Sequence, residues 1–152
     1  MDNPTDAKET VKCAPPAVSV VDADEAEREH LCRLLGRFGL EAPAYPNAEA
    51  FLARRRPQRL GCLVTEADLP GLGGLELLSL LRREGVDVPV IVMARKGDVE
   101  TAVRAMRAGA VDVFEKPIVE RVLLECILQI LAWSAEPGSN GPAAGKQRRR
   151  VP

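Results

Sequence analysis

Cys62-Leu63-Val64-Thr65, closed by Glu66-Ala67-Asp68 and followed by Leu69-Pro70-Gly71-Leu72-Gly73-Gly74, is the stretch that decides the fold. The first four residues read as a strand with no polar face. A strand of that kind belongs in a parallel sheet covered on both sides. The acids end it, the Pro/Gly run makes a loop, and a Leu-rich helix is predicted over 75–84.

The same strand–acid–helix pattern repeats in both directions along the chain. Upstream, Val18-Ser19-Val20-Val21 is a strand closed by Asp22. Asp24 is placed to cap a helix that runs to about Phe38, where Gly39 ends it. Residues 40–45 read as a weaker second strand, interrupted by Pro43, and Asn47 caps a short helix that stops before Pro57. Downstream, Val88 to Met93 is a fourth strand and Asp98 starts a helix ending at Gly109. Val111 to Phe114 is a fifth strand, and Val119 to Trp133 a fifth helix. Five such units with right-handed crossovers give a doubly wound α/β sandwich. Its functional site is expected beyond the C-terminal strand ends.

Composition sets the boundaries of this unit. Residues 1–16 read as a flexible N-terminal segment, 17–133 as the folded domain, and 134–152 as a disordered basic tail ending in Lys146-Gln147-Arg148-Arg149-Arg150. The lead-in carries a charge of −1, the folded part −3 and the tail +3. With a net charge of −1 over 152 residues the chain is no polycation, so nucleic acid is not expected as a partner. No apolar run reaches the length of a membrane span and no signal peptide is visible, which places the chain in the cytoplasm. Cys13, Cys32, Cys62 and Cys126 have no CxxC spacing and read as reduced thiols, mostly buried. The single histidine, His30, has no metal-ligand spacing to other residues. With no nucleophile–base pair and no phosphate-binding glycine loop, the chain is not read as an enzyme.

The predicted strand ends bring acids and a lysine to one rim: Asp22 and Asp24, Glu66 and Asp68, and Lys116 before Pro117. Polar residues follow apolar strands in any α/β protein, so the acids alone do not single out a function. The wider pattern does. Val-Val-Asp at 20–22, Leu-Pro-x-x-x-Gly at 69–74, Ala-x-x-Ala-Gly-Ala at 105–110 and Lys-Pro at 116–117 resemble the receiver domain of bacterial two-component response regulators. Ala48-Glu49-Ala50-Phe51-Leu52, Gly97-Asp98-Val99 and Gly109-Ala110-Val111-Asp112 resemble receivers of LuxR-type (NarL/FixJ-like) regulators in particular. The resemblance covers residues 17–133. It implies the flavodoxin-like (CheY-like) fold, a (βα)5 sandwich with sheet order 2-1-3-4-5, and a cis Lys116-Pro117 bond.

The resemblance also implies a chemistry: phosphoryl transfer from a histidine kinase to an aspartate ending the third strand, with Mg²⁺ held by acids after the first. At those positions this chain departs from the pattern. The phosphoacceptor-equivalent is Glu66, the second acid of the pair is Ala23, the hydroxyl position is Ala94 and the switch aromatic is Val113, while Asp22 and the phosphoryl-contact lysine Lys116 are kept. Glu66 is one methylene longer than Asp, which displaces its carboxylate by about 1.5 Å, and a displacement of about 1 Å can cost roughly 10²-fold in rate. Metal binding is expected to be weak or none, through Asp22, Glu66 and the Asp68 backbone, so the cofactor expectation is none or weak Mg²⁺.

The expectation is therefore a stand-alone, atypical pseudo-receiver acting by protein–protein interaction. Its partner would be a histidine kinase, a transcription regulator or another signalling protein. The alternative is a phosphorylatable receiver whose output domain is absent or supplied by a LuxR-type partner. On the fifth helix, Val119, Val122, Leu123, Cys126, Ile130 and Trp133 are expected to cover the sheet. Leu124, Leu128 and Leu131 form a second stripe, expected at the centre of a homodimer through the fourth helix, fifth strand and fifth helix, or of a docking surface for a partner protein.

Overall fold

A computed structural model describes residues 16–55 and 59–135. The strands are β1 (Ala17–Val21), β2 (Ala44–Tyr45), β3 (Leu60–Glu66), β4 (Val90–Ala94) and β5 (Asp112–Glu115). The helices are α1 (Glu25–Arg37), α2 (Ala48–Arg54), α3 (Gly74–Arg83), α4 (Val99–Arg107) and α5 (Glu120–Ala135). All strand pairs are parallel and the order is β2-β1-β3-β4-β5, the doubly wound arrangement expected.

Side chains alternate across the sheet with a period of two. Val18 and Val20, Cys62 and Val64, and Ile91 and Met93 face α1 and α5. Val21, Leu63, Val90 and Val92 face α2, α3 and α4. Both faces are thus apolar and covered, which explains strands that show no alternation in sequence. The predicted caps are in place: the side chains of Asp24, Asn47 and Asp98 accept from the N–H groups of Glu27, Ala50 and Thr101.

Two elements differ from expectation. The second strand shrinks from 40–45 to Ala44–Tyr45. Pro43 has no N–H to give, so the chain before it contributes only carbonyls to β1: Glu41 O accepts from Val18 N and Pro43 O from Val20 N, each at 2.9 Å. On α5 the two-stripe assignment is corrected. Leu124 and Leu131 are buried, each 8% exposed, inside the core cluster with Leu123, Cys126, Ile127 and Ile130. Val119, expected to face the sheet, is 58% exposed, and only Leu128 of the three leucines is exposed, at 39%. The apolar arc is centred on Ile127 and is wide because it packs on α1 as well as on the sheet.

The N-terminal segment, apart from Pro16, and the tail from residue 136 lie outside the described residues, as does Cys13. Cys62 and Cys126 are buried, and burial pushes the Cys62 thiol well above its ordinary range. Among the described residues no helix is long and apolar enough to cross a membrane.

Candidate functional site

The sheet positions three side chains at its C-terminal rim. Asp22 follows β1 and is 1% exposed. Its backbone carbonyl accepts from the Arg28 guanidinium at 2.8 Å, and its Oδ1 accepts from the Asp24 N–H at 2.9 Å. Its Oδ2 has no hydrogen-bond partner among the described residues. Burial pushes the Asp22 carboxyl up to about 6, helped by the Glu66 and Glu27 charges and opposed by the Asp24 N–H and Lys116.

Glu66 ends β3 in register with Met93, and the next N–H, from Ala67, donates to Met93 O at 2.9 Å. The loop back to α3 passes close over it. A Cβ on Gly74 would lie 2.1 Å from the Glu66 carbonyl oxygen, so only glycine fits there. Lys116 is fixed by its N–H donating to Ala94 O at 2.9 Å and is followed by a cis bond to Pro117. Its ammonium donates to Glu27 Oε1 at 2.6 Å and is ion-paired with Glu66 Oε2. Burial pulls the Lys116 pKa down. The hydrogen bonds to Glu27 and Glu66 and the charges of Glu66 and Asp22 outweigh it, and the net shift is upward.

The structure thus brings Asp22, Glu66 and Lys116 together, with Ala94 buried beside them and Val113 packed against the α2–α4 side of the core. It does not bring Asp24 or Asp68 to the cluster. The Asp24 carboxylate is used to cap α1, and the exposed Asp68 carboxylate pairs with Arg95 at 2.9 Å across the rim. Ala23 is exposed.

The third carboxylate of the cluster is Glu27, which sequence reasoning missed. Asp22, Glu27 and Glu66 each offer an oxygen, all within 4.8 Å of one another. In sequence, Asp24-Glu25-Ala26-Glu27 reads as a capping box in which Glu27 would turn back to the helix start. In the structure its carboxylate reaches Lys116 instead. His30, one turn further along α1, is paired with Glu120 of α5. Between these two helices lies a cavity of about 300 Å³, lined by apolar Ala26, Leu31, Met93 and Ile118 and, among its polar residues, by Asp22, Glu27 and Lys116.

The donor set is all carboxylate oxygen, which suits a hard divalent cation, and the orphaned buried Asp22 Oδ2 is an oxygen that such an ion would satisfy. The residues present therefore fit Mg²⁺. Asp22, Glu27 and Glu66 would hold it, and it would supply positive charge beside Glu66.

Comparisons with known proteins agree with this fold. The response regulator receiver domain profile matches residues 18–128. The transcriptional regulatory protein FixJ of Azorhizobium caulinodans is 40% identical over 134 residues, covering 88% of this chain and 64% of the relative. FixJ of Rhizobium meliloti is 42% identical over 110 residues, covering 72% and 54% respectively. The chain thus spans roughly 54–64% of the length of these curated relatives. Among solved structures, FixJ-N aligns with a TM-score of 0.70 at 41% identity, covering 75% of this chain and 91% of that one. The response regulator StyR aligns with a TM-score of 0.72 at 40% identity, covering 78% and 60%. The receiver protein from Pseudoalteromonas atlantica aligns at 0.72 and 35% identity, covering 80% of this chain and all of that one. With the receiver profile matched over most of the folded residues and the sheet order in place, this chain belongs to the response regulator receiver domain family, on the FixJ-like branch.

Proposed function

We propose that this receiver signals by protein–protein interaction from a conformation held by Glu66 and Lys116, with little or no phosphorylation at Glu66. The observation that carries this reading is the ion pair itself. The Glu66 carboxylate, with its side chain 15% exposed, already engages the lysine that would otherwise contact a phosphoryl group. Glutamate brings a single negative charge where a phosphoryl group brings about −1.5 to −2, so the imitation is partial. Ala94 offers no hydroxyl to a phosphoryl group and Val113 no aromatic ring to swing, so the fold has little with which to toggle. The reading holds whether the receiver acts alone or carries an output domain.

Incubation of the chain with acetyl phosphate and Mg²⁺, followed by intact mass measurement, tests it. The expected result is no mass gain of one phosphoryl group. Stoichiometric gain, lost on Glu66→Ala, establishes the alternative of a phosphorylatable receiver. The carboxylate cluster beside Glu66 is the feature that favours that alternative.

For the partner surface, the reading commits to a second copy of this chain meeting it through α4, β5 and α5. Support comes from α4 rather than from the leucines of α5. Val99, Val103 and Met106 are all exposed, at 69%, 42% and 37%, and their spacing puts them on one helix face. Val103→Glu is expected to reduce association in light scattering over a range of concentrations. A wild type that is monomeric throughout rules the homodimer out.

A further inference from the structure

We propose that Glu27 takes over the metal-binding role of the missing second acid. Asp22, Glu27 and Glu66 then form a divalent-cation site in which Lys116 is the competing resident cation. The inference goes beyond the proposed function and stands whether or not Glu66 accepts a phosphoryl group.

Sequence position alone assigns the missing carboxylate to Asp24, the acid next to Ala23. The structure excludes that choice, because the Asp24 carboxylate faces the first turn of α1 and accepts from Glu27 N at 3.1 Å. The helix it starts carries Glu27 one turn on, and that longer side chain returns to the rim. There its carboxylate oxygen comes within 4.8 Å of oxygens from both Asp22 and Glu66.

Two further observations point to a cation at this place. Asp22 is one of the three cluster carboxylates, and its Oδ2 is buried with no hydrogen-bond donor among the described residues, a costly state for an ionised carboxylate. The cavity beside the cluster is lined by Asp22 and Glu27, leaving room for the waters that a small hard cation keeps. Lys116 supplies part of the charge balance, since its ammonium spans Glu27 and Glu66. It does not donate to Asp22 Oδ2. A divalent ion competes with the ammonium for the Glu27 and Glu66 oxygens and adds what Asp22 lacks.

Calorimetric titration of the full chain with MgCl2, and separately with MnCl2, provides the test. Thermal melts of each variant confirm folding. A single site is expected for the wild type. Glu27→Gln should weaken it by about tenfold or more, in line with the loss of a metal-site partner. Asp24→Asn keeps a good helix cap and should bind as wild type does. Lys116→Gln removes the competing ammonium and should bind more tightly. No binding by the wild type at millimolar metal overturns the proposal. So does Glu27→Gln binding like wild type, or Asp24→Asn losing the site while still folded.

Discussion

Lys116 and Glu66 are paired across the C-terminal ends of β5 and β3, and both backbones are tied to β4. Lys116 donates its N–H to Ala94 O, and the residue after Glu66 donates to Met93 O. The pair therefore connects three strands through two backbone anchors and one ionic contact. Asp22 lies close enough for its charge to raise the lysine's pKa.

Lys116→Met is expected to destabilise the fold at pH 7 by about 1–3 kcal/mol, less than for a fully buried pair because the ammonium is partly exposed. The raised pKa of Lys116 means that its contribution is fully present below the ordinary lysine value of 10.5 and is lost only above it. In acid the effect should shrink for a different reason. As pH falls through about 6, Asp22 takes up a proton and there is less negative charge to offset. Urea denaturation at pH 7 and pH 4.5 measures both. Equal stability of variant and wild type at pH 7 contradicts the arrangement.

Asp22→Asn should do the opposite. The Asp22 carboxyl is raised from 3.8 to about 6, chiefly by burial, so between these values the folded chain holds more protons than the unfolded one. Stability then falls as pH rises through that window, and above it the ionised Asp22 is a cost on the order of 3 kcal/mol. In buffer with EDTA, the asparagine variant is expected to unfold at higher urea than wild type at pH 7. The difference should close near pH 4. A variant less stable than wild type at pH 7 contradicts this assignment.

Most of the fold was legible because each βα unit carries its own punctuation. Asp24, Asn47 and Asp98 cap helices as expected, and the Gly/Pro loop at 69–74 leads into α3. The site was only half legible. Asp22, Glu66 and Lys116 end strands, where sequence position nearly fixes side-chain position. Glu27 sits on a helix, and its long side chain can serve the helix cap or the rim; tertiary structure decides between them. The buried arc of α5 was misplaced for a related reason. A helical wheel orders residues around the axis but does not show how many neighbours the helix has, and α5 meets both the sheet and α1.

The buried and exposed sides of α5 should respond differently to substitution. Leu131→Ala should cost about 2–5 kcal/mol of stability, the usual range for a buried leucine, since Leu131 Cδ2 packs close to Gly61 of β3. Leu128→Glu, on the exposed side, should change stability by no more than about 0.5 kcal/mol. Denaturation midpoints decide the matter. Comparable losses from the two substitutions would mean that α5 is rotated from the orientation described.

Glu66→Asp tests how far the departures from the family pattern are reversible. Removing one methylene draws the carboxylate back by about 1.5 Å, away from Lys116 and toward the end of β3. The carboxylate cluster keeps Asp22 and Glu27 to hold Mg²⁺, and Lys116 is released to meet an incoming phosphoryl group. One deficit remains, because Ala94 still has no hydroxyl. Phosphorylation by acetyl phosphate is therefore expected in a graded series. The wild type should show none, Glu66→Asp slow and Mg²⁺-dependent incorporation, and Glu66→Asp with Ala94→Thr faster incorporation. Positional errors of about 1 Å can cost roughly 10²-fold, so the first step of the series should be the larger one. Adding Glu27→Gln should suppress the reaction if Glu27 helps to hold the metal. Intact mass against time measures each member. If Glu66→Asp with Ala94→Thr remains unmodified while folded and Mg²⁺-bound, the block lies elsewhere than in the length of residue 66 and the missing hydroxyl.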